Sequence, residues 1–300
     1  MTYVYSFIIS MVLMYISIKL GITFNLLDKP KGVLKPHEKP IPFTGGLGIF
    51  LSILGIALFF DRELVKYLPV LSLLWFLGFS DDVKGLPPLL RLVAELAIGF
   101  LFSFWYSGYS FMLSIFLAFA FAVMINAFNM VDGMDGVCGG VSLVIAFALS
   151  LLPGLEIFRW IILVVGAFLV FNIAPAKVFL GDEGSYLLGG IFGIALIKSF
   201  GTGEGWNVLG ILWLPLLDLV VGFFRRLLNG KSPFEGDRDH FYDKLKKLYM
   251  KNTRAIMLTS MALASLYAFP SLLLGKVFLI IYILLLSTIQ ITVLRSFEIT

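Results

Sequence analysis

Residues 126–136 read NAFNMVDGMDG and lie between two long apolar runs. Two amides, Asn126 and Asn129, and two carboxylates, Asp132 and Asp135, are concentrated there in a chain that is 59% hydrophobic and only 14% charged. Such groups do not face hydrocarbon without partners or a wet cavity. The stretch therefore ties two expectations together: its flanks are helices that cross a membrane, and the gap between them is a polar site. Spacing by three from Asn126 to Asp135 keeps the four side chains on one broad face if the preceding helix continues far enough. Gly133 and Gly136 permit a turn that brings backbone N–H groups near a ligand. The ligand ladder of an EF-hand is absent, and a structural amide ladder inside a bundle is the other use of the same residues.

Outward from this stretch, apolar runs long enough to cross ~30 Å of hydrocarbon recur along the 300 residues, and mean hydropathy is +0.97. Expected spans lie near 3–23, 43–60, 64–80, 89–105, 111–128, 137–153, 158–174, 185–200, 207–224, 253–270 and 273–294. That is about eleven transmembrane helices, or ten if one of the last pair lies in the interface. The expected fold is all-α, a polytopic integral membrane helix bundle forming one domain over residues 1–300. A β-barrel would show alternating segments of about ten residues. The first run lacks a basic start and a small-residue cleavage site, so it reads as a span rather than a signal peptide. A single cysteine, Cys138, excludes an internal disulfide and a CxxC metal site.

The formal charge of +4 reads as membrane sidedness rather than nucleic-acid binding, because Lys and Arg are unevenly shared between alternate loops. Loops 24–42, 81–88, 129–136, 175–184 and 225–252 hold most of them, whereas the other set holds little beyond Arg62, Lys66, Arg159 and Lys276. Counted through eleven spans, this puts the first set in the cytosol, the N-terminus outside, and every polar cluster on the cytosolic face. The large loop 225–252 ends in DKLKKLYMKN, which can form an amphipathic helix on an anionic surface. No inverted pair of broken helices stands out, which counts against a transporter.

Three further clusters join the opening stretch. In GFSDDVKGLPP, Asp81 and Asp82 are adjacent at a helix C-terminus, where they repel each other and oppose the dipole, so a cation is expected nearby: Mg²⁺, Lys84 or Arg91. Gly85 and the two prolines also make a plain helix stop. In FNIAPAKVFLGDEGS, Asn172 and Pro175 end a run, Lys177 offers charge to a phosphate, and Asp182 is either a ligand or a helix cap. From PLLDLV to His240, Asp218 and Arg225 could form a structural ion pair. Carboxylates, a few cations and turn glycines at one interface suit a membrane enzyme that holds a nucleoside diphosphate through Mg²⁺ while a lipid phosphate attacks in line.

Together these motifs resemble the polyprenyl-phosphate N-acetylhexosamine-1-phosphate transferases. The resemblance runs from Asp28 to Leu245 through KPHEKPIPFTGG, the pair Asp81 and Asp82, NAFNMVDGMDG, NIAPAKVFLGDEGS and SPFEGDRDH, in that order. It implies transfer of N-acetylhexosamine 1-phosphate from a UDP-sugar to undecaprenyl phosphate, release of UMP, and dependence on Mg²⁺, with Mn²⁺ as a substitute. It also implies a multi-pass enzyme of the plasma (inner) membrane serving a cell-surface polysaccharide, compatible with a homodimer. By motif, Asp182 is the principal metal ligand with Asp81 and Asp82 beside it, and His240 completes the catalytic group. Asn129, Asp132 and Asp135 line the nucleotide side, Asn172 joins the substrate-binding group, and Asn126 either orients the site from within its helix or ties two helices together. Arg91 and Lys177 assist phosphates, Lys35 and His37 guard the cleft, and Arg238 meets the sugar or diphosphate.

The chain departs from the family where an HxHH-like pattern is frequent, reading His240, Phe241, Tyr242, Asp243. It also has Glu95 where Gln is common, and Thr44 before the GG pair. The acidic core is intact, so the departures bear on the sugar rather than the reaction. The SPF element, a span count near eleven and the compact length of 300 residues favour the branch that initiates teichoic acid and O-antigen over the pentapeptide branch, with N-acetylglucosamine as the expected sugar. Another UDP-amino sugar, or transport of a polyprenyl phosphate or nucleotide sugar, are the alternatives.

Overall fold

In hydrocarbon a backbone must satisfy its own N–H and C=O groups, so an apolar chain of this kind folds as helix. The computed structural model describes residues 1–29, 39–232 and 236–298 and is all-α apart from a two-residue antiparallel pairing of Leu27 with Pro42 and Asp28 with Ile41. In chain order the helices are α1 (Thr2–Thr23), α2 (Gly45–Phe59), α3 (Leu68–Lys84), α4 (Pro88–Leu101), α5 (Phe111–Val131), α6 (Val137–Leu149) and α7 (Phe158–Asn172). They continue with α8 (Gly181–Phe200), α9 (Gly205–Ile211), α10 (Trp213–Leu228), α11 (Phe241–Leu248), α12 (Thr253–Leu273) and α13 (Lys276–Val293). A 3₁₀ turn, Arg62–Tyr67, leads into α3, and a π turn, Phe102–Tyr106, extends α4.

The expectation of eleven or ten spans is corrected by this architecture. Among the described residues, six helical segments are long and apolar enough to cross a membrane: α1, Arg62–Lys84, Pro88–Tyr106, α5, α12 and α13. The bent pair α9 and α10, turned by 67°, makes a seventh if it counts as one broken span. The other apolar runs fail on length or composition. With 15, 13 and 15 residues, α2, α6 and α7 reach only about 20–22 Å at ~1.5 Å per residue, against ~30 Å of hydrocarbon. α8 is long enough, but it opens with Asp182 and Glu183 and carries Lys198 in its last turn. The sidedness obtained by counting through eleven spans, with the N-terminus outside and the site cytosolic, falls with the count.

α6 and α8 are apolar because they face protein. Eleven of the thirteen residues of α6 and fifteen of the twenty in α8 are buried, whereas α13 buries four of eighteen. α8 is the central post, packed against α2, α3 and α5. Two glycines set how closely its N-terminus is approached: a Cβ at Gly78 of α3 would collide with the backbone of Asp182 and Glu183, and one at Gly46 of α2 with the backbone of Gly184. That proximity brings the ends of α3, α5, α7 and α8 to one place.

Candidate active site

Asp81 and Asp82 lie in the last turn of α3, which Gly85 ends at φ 67°. Their repulsion is relieved by donors from three directions. Asp81 Oδ1 accepts from the Leu86 N–H at 2.6 Å, while Oδ2 accepts from the Tyr186 hydroxyl at 2.6 Å and Arg91 Nη1 at 2.8 Å. Asp82 spans the N-terminus of α8, its Oδ1 accepting from the Asp182 N–H and its Oδ2 from the Glu183 N–H, both at 2.9 Å. Free N–H groups and a positive dipole end are what a carboxylate satisfies best. The cap of α8 is therefore Asp82, a hundred residues away, and the Asp182 side chain instead accepts from Asn129 Nδ2 at 2.6 Å through Oδ1.

α5 runs to Val131, so the opening stretch divides between a helix end and a turn. Asn126 does not join the others: its Nδ2 donates to Glu95 Oε2 at 2.6 Å and ties α5 to α4. Asn129 reaches α8, Asp132 closes α5, and Asp135 Oδ2 accepts the Ala176 N–H at 3.0 Å. Gly136, at φ 77°, donates its N–H to Asn172 Oδ1 at 2.9 Å, and Asn172 Nδ2 donates to the Val178 carbonyl at 2.9 Å. Asn172 thus latches two loops. Burial pushes the Asp132 carboxyl up to about 8, reinforced by the carboxylates of Asp182 and Asp135.

The turn before α11 supplies the basic side. Arg238 Nη1 donates to the Gly133 carbonyl at 2.9 Å, and the Tyr242 hydroxyl donates to the Met130 carbonyl at 2.8 Å. His240 is buried, with Nδ1 2.7 Å from Asp218 Oδ2, and the Phe241 N–H donates to Asp218 Oδ1 at 2.9 Å. The anticipated Asp218–Arg225 pair does not form; Arg225 and Arg226 both grip Asp237. Burial alone would raise the Asp237 pKa, but hydrogen bonds from Arg226 and Arg225 bring it down to about 2.

These pieces enclose a cavity of about 890 Å³, lined by Asp81, Asp82, Asn129, Asp132, Asp135, Asn172, Asp182 and Arg238 among the residues singled out in the sequence. Arg91 touches it only through Asp81, while Asn126, His240 and Lys177 are not among its lining; Lys177 is exposed. Lys35 and His37 lie outside the described residues. The sequence reading missed Asn25, Asp28, Lys29, Asp243, Lys246 and Thr253, which also line the cavity. Lys246 belongs to a lysine run that reads as a membrane anchor, and nothing in its spacing marks it out.

Seven acidic side chains (Asp28, Asp81, Asp82, Asp132, Asp135, Asp182, Asp243) and three basic ones (Lys29, Arg238, Lys246) line this cavity. Among the described residues no group of three or more His, Cys, Asp or Glu side chains is arranged around one ion position. The donor set nevertheless fits a hard divalent cation held through a few oxygens and a substrate's phosphates, the arrangement usual for Mg²⁺. Such a counter-charge would offset the repulsion between these carboxylates and a polyanion.

A model of glycosyl transferase family 4 matches residues 64–200, which run from the turn before α3 to the end of α8. Three proteins, each named undecaprenyl-phosphate alpha-N-acetylglucosaminyl 1-phosphate transferase, are similar over most of their length. The one from Thermotoga maritima is 34% identical over 248 residues, covering 80% of this chain and 79% of the relative. The Yersinia pestis protein is 29% identical over 299 residues, covering 88% and 81%, and the Salmonella typhi protein 29% over 296, covering 87% and 80%.

Proposed function

Because the chain belongs to glycosyl transferase family 4, we propose that it transfers N-acetylhexosamine 1-phosphate from a UDP-sugar to undecaprenyl phosphate and releases UMP. The donor is UDP-N-acetylglucosamine, which supplies the N-acetylglucosaminyl 1-phosphate group that the relatives' names print. The enzyme resides in the plasma membrane, the inner one where a cell has two. The observation that carries the reading is the cavity in which Asp82 and Asp182 meet at the N-terminus of α8, with Arg238 and Lys246 also in its lining.

In the reaction, an oxygen of the lipid phosphate attacks the sugar-bearing phosphorus of the donor. A new P–O bond forms, the P–O bond to the bridging oxygen breaks, and UMP leaves with the electron pair. A lipid phosphate already ionised needs no proton removed, so the aspartates serve charge and geometry rather than general base catalysis. Asp182 and Asp82 would hold Mg²⁺, for which Mn²⁺ can substitute. When bound, the ion supplies charge that neutralises the diphosphate and the leaving oxygen. Asp81, whose two oxygens already accept three donors, orients this group. Arg238 and Lys246 bind phosphate charge, Asn129 fixes the Asp182 carboxylate, and Asp132 and Asp135 border the nucleotide.

Purified protein in detergent, given undecaprenyl phosphate, Mg²⁺ and a panel of UDP-sugars, tests this reading. UMP release with UDP-N-acetylglucosamine is expected. Release only with UDP-MurNAc-pentapeptide or another amino sugar would move the donor, and no UMP with any of them would refute the reaction.

A further inference from the structure

A buried polar cluster that the proposed reaction leaves unused lies beside the turn that carries Arg238. Arg225 and Arg226, in the last turn of α10, are 2% and 3% exposed. Asp237 accepts from both: Arg225 Nη2 lies 2.9 and 3.1 Å from its two oxygens, Arg226 Nε 3.2 Å from Oδ2, and Arg226 Nη2 3.1 Å from Oδ1. The remaining arm of Arg225 is turned away from this ion pair. Its Nη1 donates to the Ser296 carbonyl at 3.1 Å, in the short segment that follows α13. Two more side chains hold that segment and the helix end it leaves: the Lys244 ammonium of α11 donates to the Glu298 carbonyl, and the Tyr249 hydroxyl to the carbonyl of Val293, the last residue of α13, at 2.7 Å. Donors from α10, α11 and the residue after it thus converge on the backbone of residues 293–298.

Resting on the transferase reading above, we propose that residues 293–298 form a strut that holds the substrate-binding turn in register. Arg225 is the positioning residue at its centre. It links the Ser296 carbonyl to Asp237, the neighbour of Arg238, while Lys244 links the Glu298 carbonyl to α11, which carries Lys246. Lys247 Nζ, donating to the Arg238 carbonyl at 2.8 Å, joins the two halves. Both phosphate-binding cations are therefore fixed from behind by main-chain acceptors outside the cavity, which spares donor binding the entropy of ordering them. Asp182, on α8, has no part in the strut. Releasing the segment is therefore expected to weaken binding of the uridine nucleotide and leave the chemical step at α8 largely intact.

The test uses the full chain in detergent with Tyr249→Phe, a mild change at an exposed ring, and Lys244→Met/Tyr249→Phe. A Ser296→Cys reporter in a Cys138→Ser background gives the maleimide labelling rate of the segment, and calorimetry gives the Kd of UMP independently of turnover. The double variant is expected to label faster, to bind UMP roughly tenfold more weakly and to show KM for the donor raised by a similar factor, with kcat changed less than about threefold. The single variant should shift in the same direction by less. Faster labelling with unchanged Kd overturns the proposal, as does weaker binding with an unchanged labelling rate. A parent that binds UMP but transfers no sugar phosphate refutes the transferase reading alone, and the strut then stands or falls on Kd; a parent that binds no UMP overturns both.

Discussion

The carboxylate of Asp82 accepts the backbone N–H of Asp182 at 2.9 Å, so the two residues proposed to hold a metal are joined directly at the N-terminus of α8. The second oxygen accepts the Glu183 N–H at the same distance. One side chain therefore caps a central helix and shapes the site, and stability and activity are coupled at that point. Asp82→Asn replaces one accepting oxygen by a donor facing an N–H. Loss of roughly 1 kcal/mol, seen as a lower Tm in detergent, is expected together with a fall in UMP release of at least about a hundredfold. A variant with full activity would separate the cap from the site.

Tyr186 offers a cleaner cut. Its hydroxyl donates to Asp81 Oδ2 at 2.6 Å, and Arg91 Nη1 lies 3.2 Å from the same hydroxyl. Tyr186→Phe removes one donor while Arg91 and the Leu86 N–H remain on Asp81. Turnover is expected to drop roughly tenfold, the equivalent of about 1.4 kcal/mol, with the protein still folded by gel filtration.

Asn126 behaves as a tie between helices. Its amide donates to Glu95 Oε2 and to the Ala122 carbonyl, away from the cavity lining. Asn126→Ala should lower stability by about 0.6–2 kcal/mol, the usual worth of a hydrogen bond between helices in a membrane. Activity per folded molecule should stay within roughly threefold, as a KM and kcat comparison will show.

His240 should give a pH signature in stability. Burial alone would lower its pKa, but Asp218, then Asp237 and Asp243, raise it above its ordinary 6.5. A folded value above the unfolded one means that this contribution is fully present below about 6.5 and is lost as pH rises through the folded value. His240→Gln should remove that alkaline slope in Tm measured from about pH 6 to 9. A slope that persists in the variant assigns it to other groups.

Much of this was legible in the sequence, and the remainder failed for identifiable reasons. Helicity and a membrane setting follow from composition, because few other folds tolerate so little charge. The span count did not follow, because Val141, Ile145 and Leu149 of α6 look the same in sequence whether they meet lipid or, as here, protein. The carboxylate clusters could be seen, and most of them meet in one cavity. The resemblance also put Asp81 and Asp82 beside Asp182, but no periodicity shows that Asp82 accepts the Asp182 N–H a hundred residues on, or that Asp218 meets His240 rather than Arg225. Asn126 keeps the spacing of Asn129 and Asp132, yet it sits almost a turn further back along α5, where its amide meets Glu95 of α4 rather than the cavity. Lys246 was hidden by its lysine neighbours.

The most direct measurement is UMP release by the purified enzyme and by Asp182→Ala, each with UDP-N-acetylglucosamine, undecaprenyl phosphate and Mg²⁺. The proposed arrangement predicts rapid release by the parent, dependence on the divalent ion, and a loss of at least about a hundredfold in the variant with its fold retained. Undiminished release by Asp182→Ala, or none by the parent with any UDP-sugar, would contradict it.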